Sequence, residues 1–126
     1  MEERDKIVYS KCADTLDSIG VEAKRISLSN LKKATEKITA MCETEKLYLA
    51  TERNGDDEED KFEEVDGYFN EIKKSASLIL KLPLNKDIIR QYGIKLCSYA
   101  RQKATIIRDT HLKDKEIFDD WLDRMI

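Results

Sequence analysis

The residue types that most often carry chemistry are sparse in this chain. Its 126 residues include a single histidine, His111, which stands two positions after Asp109. The two side chains could share a metal ion if both lay on a loop, but a protein metal site needs three or four ligands and no third is evident nearby. We therefore interpret His111 as an ordinary surface histidine and predict no metal site.

The three cysteines, Cys12, Cys42 and Cys97, are far apart and form no C-x-x-C pair. Their odd number and wide spacing disfavour a disulfide framework and favour free thiols in a reducing compartment. Each lies in a helical pattern, so we expect small buried apolar side chains. No nucleophile pairs convincingly with the histidine, and no glycine-rich phosphate-binding pattern is present. We expect neither catalysis nor a cofactor.

Five consecutive acidic residues follow the turn sequence Asn54-Gly55. Aligning this run with an EF-hand loop puts Lys61 where the turn glycine belongs and Gly67 where a bidentate Glu belongs, so the calcium interpretation fails. Because like charges in a row repel one another, we predict a mobile, solvated loop at about residues 53–60.

Charge is strongly segregated along the chain although the net charge is only −3. Residues 52–71 hold ten acidic and two basic side chains, whereas residues 72–108 hold nine basic and one acidic. The second stretch therefore carries a formal charge of +8 and is the most informative feature of the sequence.

Part of this positive charge is predicted to line one side of a helix, in a set that we call the basic ridge. Its members are Lys86, Arg90, Arg101 and Arg108. At 100° per residue they fall within about 60° of one another. Cys97 and Ala104 share the sector and are small, which would leave the cationic heads accessible. Three interpretations compete: a solvated face, a docking site for an acidic protein partner, and a phosphate-binding site for nucleic acid or anionic lipid. The overall negative charge weakens the third.

The opposite face of the same helix is predicted to be core, with Tyr92 and Tyr99 packed inside rather than stacking on bases. Lys103 falls within this apolar face. Either its stem extends along the edge of the bundle towards water, or it forms a salt bridge with a carboxylate of a neighbouring helix or of a partner.

The C-terminal segment is a second candidate for an interaction surface. Its large apolar residues share one side of a predicted helix, opposite three aspartates: Ile117, Phe118, Trp121, Leu122 and Met125. This stripe either covers an open side of its own bundle or enters a groove on a partner.

Apolar spacing of three and four residues predicts the elements that carry these groups. The first helix runs from about Glu2 to Ile19, with Gly20 as a break. The second is capped by Ser27 or Ser29 and continues to about Glu52; whether residues 21–26 belong to it is left open.

The third helix has an uninterrupted heptad-type stripe from Phe62 to Ile79 and ends before Pro83. The fourth begins at the capping residue Asn85 and reaches about Arg108. A break is expected at 109–111, and a short fifth helix follows from about Asp114 to Met125.

Composition agrees with this pattern, since 39% of the residues are charged and there is only one proline. The chain is expected to form one domain over residues 1–126, an all-α, up-down antiparallel four-helix bundle with a short C-terminal fifth helix. No apolar run is long enough for a membrane span. We expect an intracellular protein, cytoplasmic or nuclear, that acts as a non-catalytic interaction or scaffolding module and binds a protein partner, with homo-oligomerisation possible. The alternative is a phosphate-binding helical domain that uses the basic ridge.

Overall fold

In a computed structural model, which describes residues 3–52, 61–113 and 124–125, the chain forms a bundle of four α-helices. They are α1 (Glu3–Lys24), α2 (Leu31–Glu52), α3 (Glu63–Leu80) and α4 (Lys86–Ile107), followed by a π-helical turn (Arg108–Leu112). The prediction of an all-α four-helix bundle is confirmed. The predicted acidic loop and most of the predicted fifth helix lie outside the described residues.

Contacts between neighbouring helices show that the bundle is antiparallel. Arg4 near the start of α1 pairs with Glu52 at the end of α2 (Nε to Oε2, 2.7 Å), while Glu22 near the end of α1 pairs with Lys37 (2.9 Å). Exposed pairs of this kind contribute roughly 0–1 kcal/mol each, so they report the register of the helices more than they stabilise it.

The pairs α2–α3 and α3–α4 are antiparallel as well. Glu43 of α2 meets Lys73 of α3 at 3.3 Å, and Lys103 near the end of α4 lies over the ring of Tyr68 near the start of α3. Each helix therefore runs opposite to the next around the bundle, as the short connections predict.

Small residues let α1 and α4 approach closely. A Cβ atom on Gly93 of α4 would lie 2.7 Å from the carbonyl oxygen of Ala23 and 3.2 Å from Cβ of Ile26. A Cβ on Gly20 of α1 would lie 3.2 Å from Cγ of Arg101. The predicted break at Gly20 is wrong, because this glycine is a packing position and α1 continues to Lys24.

The same close contact corrects the prediction for the basic ridge. Cys97 and Ala104, expected to lie among the exposed cations, are buried at 6% and 0% exposure. The buried face of α4 is thus rotated towards α1 relative to the predicted face, and the cations lie along one flank of the α1–α4 contact.

The helix ends follow local chemistry. Asn85 caps α4 as predicted, with its side-chain oxygen accepting from the backbone N–H groups of Asp87 (3.0 Å) and Ile88 (3.1 Å). Asn30 precedes α2; its side chain accepts from Ser27 N (2.7 Å) and donates to Arg25 O (2.9 Å). The Asn30 side chain therefore ties the α1–α2 turn, while the hydroxyls of Ser27 and Ser29, the predicted capping residues, bond to each other (3.0 Å).

The predicted break after α4 is also wrong, since a π-helical turn continues the chain to Leu112. His111 in this turn is half-buried and stacks on Tyr9 of α1, with ring centroids 3.9 Å apart. Tyr9 packs edge-on against Phe62 at 5.3 Å and donates to Lys61 O at 2.9 Å. The histidine is thus part of an aromatic stack that fixes the end of α4 to α1.

Candidate functional site: an apolar groove beside α4

A cleft of about 200 Å³ lies between α3 and α4, near the end where α3 finishes and α4 begins. We call it the α3–α4 groove. Its apolar lining consists of Leu78, Ile79, Leu82, Tyr92, Leu96 and Tyr99. An apolar cavity of about 150 Å³ holds a benzene-sized ring, so the groove has room for one aromatic side chain.

Two large side chains of the groove are open to solvent. Leu78 is 61% exposed and Tyr92 is 42% exposed. The prediction that Tyr92 lies in the core is wrong, because the small residues of α4 turn that helix towards α1 and leave Tyr92 at the edge facing α3. Contiguous exposed apolar side chains in a charged protein mark interaction surfaces more often than isolated ones do.

Lysines lie at the edge of the groove. Lys95 is part of its lining, with Nζ 4.9 Å from the ring centroid of Tyr92. Lys103 lies 5.1 Å from the ring of Tyr68 and 5.2 Å from that of Tyr99. Two roles are predicted for Lys103: a salt bridge with a carboxylate, or a position at the edge of the bundle. Its described contacts are with aromatic rings, in the geometry of cation–π interactions.

The structure separates the members of the basic ridge. Lys86, Arg90 and Arg101 are exposed, and none forms an ion pair with any residue that the structure describes. Arg108 instead bridges two carboxylates of α1, Asp14 at 2.9 Å and Asp17 at 2.7 Å. One of the four predicted binding cations therefore belongs to the contact between α1 and α4.

The C-terminal stripe is only marginally described. Ile117, Phe118, Trp121 and Leu122 lie outside the described residues. Met125 is described and is 68% exposed. Its side chain is therefore not covered by the four-helix core.

A buried carboxylate, which the sequence analysis did not single out, joins α1 to α2. Glu45 is only 4% exposed, and its Oε1 accepts from Lys11 Nζ (2.5 Å) and from the Thr15 hydroxyl (2.6 Å). The Cys12 thiol lies 3.9 Å from Oε2, and Lys11 also lies over the ring of Tyr48 at 4.3 Å. The carboxylate is satisfied by these donors, which indicates a structural role.

The thiols beside this core are poorly suited to nucleophilic chemistry. Burial, reinforced by the Glu45 carboxylate, raises the pKa of Cys12 to about 12. Burial likewise raises the pKa of Cys42 to about 12. Since the thiolate is the reactive form of cysteine, both side chains remain protonated and unreactive at neutral pH.

Within residues 3–52, 61–113 and 124–125, no three His, Cys, Asp or Glu side chains converge into a set that could hold a metal ion. Over the same ranges, no helix combines the length and apolarity that crossing a bilayer requires.

Comparison with known proteins gives no match: no protein-family model, no curated protein and no solved structure is similar to this chain.

Proposed function

We propose that this chain is a non-catalytic interaction domain of an intracellular assembly, and that it docks an apolar, acidic segment of a protein partner in the α3–α4 groove. The observation that carries the proposal is the pairing of exposed Leu78 and Tyr92 with Lys95 in one cleft. Large apolar side chains supply most of the binding free energy in protein interfaces when a partner covers them.

Charge favours an acidic partner. Lys95 lines the groove, and it forms no ion pair with a described residue. Basic side chains around an apolar centre increase the association rate of an acidic partner and fix its orientation. Lys86, Arg90 and Arg101 share the side of α4 that faces away from the groove, and Arg108 is already engaged with α1, so Lys95 is the cation that the groove itself offers.

The test is site-specific photo-cross-linking of the full chain in its native cells. A photoreactive residue replaces Tyr92 in one variant and Leu47 in a control; Leu47 is 70% exposed on α2. We expect a discrete cross-linked protein from position 92 that survives nuclease treatment and disappears when Leu78→Asp is added. Position 47 should give no such product.

Two outcomes would overturn the proposal. Equal products from positions 92 and 47 would mean that the groove has no specific occupant. A product at position 92 that is removed by nuclease would favour the phosphate-binding alternative, and its affinity should then fall steeply with salt. Reversal of charge at Lys95 should weaken the protein cross-link without lowering the melting temperature, since this side chain lines the groove and is exposed.

A further inference from the structure

We propose that the α3–α4 groove receives the C-terminal segment, residues 114–126, of a second copy of this chain. This inference rests on the proposed function, because it identifies the acidic, apolar partner that the groove would bind. It makes the protein a homodimer in which each copy holds the end of the other.

The segment has the composition that the groove requires. Residues 114–126 contain five acidic and two basic side chains, and their apolar residues recur at helical spacing. The groove is lined by Lys95, whose Nζ lies over the Tyr92 ring and forms no ion pair with a described residue. Apolar and electrostatic complementarity therefore coincide within one sequence, on two stretches that are separate along the chain.

Trp121 is the side chain expected to enter the groove. It lies centrally in the apolar stripe, with Ile117 and Met125 four residues to either side. The cleft of about 200 Å³ is floored by apolar side chains and edged by Tyr92 and Lys95, a setting that suits an aromatic ring. Tryptophan is also the residue type most enriched among energetically dominant interface positions.

The path of the chain favours a second copy over the same copy. The end of α4 is held at α1, where His111 stacks on Tyr9. From Leu112 back to the groove at Leu96 is about 22–24 Å along the helix axis. If the segment binds as a helix from residue 117, as its apolar spacing indicates, an extended link and one helical turn to Trp121 span about 23 Å, which leaves nothing for the sideways step from α1 to the α3 side. A fully extended link of about 30 Å would reach the groove but would lose the helical apolar stripe. A segment from another molecule has no such restriction.

Reciprocal exchange of the C-terminal segments would also limit the assembly to two copies. If each copy inserts its segment into the groove of the other, a two-fold axis relates the two contacts and the buried area doubles. Both α3–α4 grooves and both segments are then occupied, so the assembly stops at two copies. Met125, 68% exposed on the single chain, would be covered by the partner copy.

The experiment uses the full chain and two variants, each of which removes one side of the contact. Leu78→Asp alters the groove, Trp121→Asp alters the segment, and Leu47→Asp is the matched exposed-leucine control on α2. Sedimentation over a concentration series should show a dimer for the parent chain and the control. The two variants should weaken dimerisation on the order of tenfold or more while keeping the parent melting temperature.

Mixing the variants gives the sharper result. The Leu78→Asp chain keeps an intact segment and the Trp121→Asp chain keeps an intact groove, so their mixture should form one-contact heterodimers that neither forms alone. Trp121 is the only tryptophan, so its fluorescence should shift to shorter wavelength as the Leu78→Asp chain is titrated with the Trp121→Asp chain.

A peptide of residues 113–126 completes the test and covers the case in which a variant misfolds. It should bind the Trp121→Asp chain, fail to bind the Leu78→Asp chain, and dissociate the parent dimer. A monomeric parent chain with no peptide binding would overturn the proposal, and a foreign protein cross-linked at position 92 would then still support the proposed function. A monomeric parent chain whose groove binds the peptide only after residues 114–126 are deleted would place the segment in its own groove and overturn the second-copy arrangement.

Discussion

At the scale of single residues, the hydrogen bond from Thr15 to Glu45 is the contact whose removal is most easily interpreted. Replacing Thr15 with Val keeps the shape of the side chain but removes the donor, so the buried carboxylate keeps only Lys11 and the weak Cys12 contact. Hydrogen bonds to charged groups contribute about 1.5–3 kcal/mol. We expect Thr15→Val to lower the free energy of unfolding by that amount in urea denaturation.

Thr105→Val is the matched control for this substitution. Thr105 is exposed on α4, and its hydroxyl donates only to the carbonyl of Arg101 (3.1 Å). Exposed substitutions of this kind change stability by roughly 0.5 kcal/mol or less. Equal effects for the two variants would show that water replaces the lost donor and that the cluster around Glu45 contributes little to stability.

Glu45 also shows what single-residue patterns leave undetermined. It occupies the stripe of α2 three residues after Cys42 and four before Leu49, both fully buried. The spacing predicts that residue 45 is buried, whereas glutamate side chains are usually exposed, so the two predictions for this position conflict. The disagreement is resolved only by Lys11 and Thr15 on another helix, and their register against α2 is not contained in the local sequence.

At the scale of elements, the α1–α4 contact predicts that alanine at Gly93 is harmful. Alanine favours an exposed helix over glycine by about 1 kcal/mol. At Gly93, however, the added Cβ would lie 2.7 Å from a backbone oxygen of α1, which cannot move without shifting the helix. We expect Gly93→Ala to destabilise by about 1–3 kcal/mol, the usual cost of overpacking, as measured by thermal and chemical denaturation.

Gly67→Ala provides the opposite case in the same fold. Nothing lies within 4 Å of a Cβ built on Gly67 in the second turn of α3. The substitution should therefore stabilise the protein by about 0.5–1 kcal/mol through helix propensity alone. If both variants stabilised the fold, the close approach of α4 to Ala23 would be wrong.

Element boundaries were predictable where the signal is local. The cap at Asn85 follows from local capping chemistry, and it is found. Gly20 was misjudged because a glycine that ends a helix and a glycine that admits a neighbouring helix look alike in sequence. Only the distant α4 distinguishes the two cases.

At the scale of the whole molecule, the bundle and the groove have different origins. The antiparallel arrangement follows from four amphipathic stretches with short connections, which is why the fold class could be predicted. The groove arises because α4 packs its small residues against α1, which leaves Tyr92 and Leu78 without full cover on the α3 side. Whether α4 packs its small residues against α1 or against α3 depends on packing across the whole bundle. Local sequence does not contain this information, which is why the prediction placed Tyr92 in the core.

The last prediction concerns the stability of the whole molecule in alkali. Burial raises the pKa of both Cys12 and Cys42 to about 12, and it raises that of Tyr68 as well. In the unfolded chain a thiol ionises near pH 8.5, whereas the folded chain holds these two thiols neutral. Their contribution to stability is therefore fully present below about pH 8.5 and is lost as the pH rises towards 12.

Linkage sets the size of this loss at about 1.4 kcal/mol per pH unit for each proton that the unfolded chain releases and the folded chain keeps. Two thiols should make the free energy of unfolding fall by up to about 3 kcal/mol per unit above pH 9, before tyrosines add to it. Denaturation of the reduced protein at pH 8 to 10 measures the slope. The Cys12→Ala, Cys42→Ala double variant should be less stable at pH 8 because of its cavities, but its slope over this range should be much flatter; an unchanged slope would mean that these thiols already ionise in the folded protein.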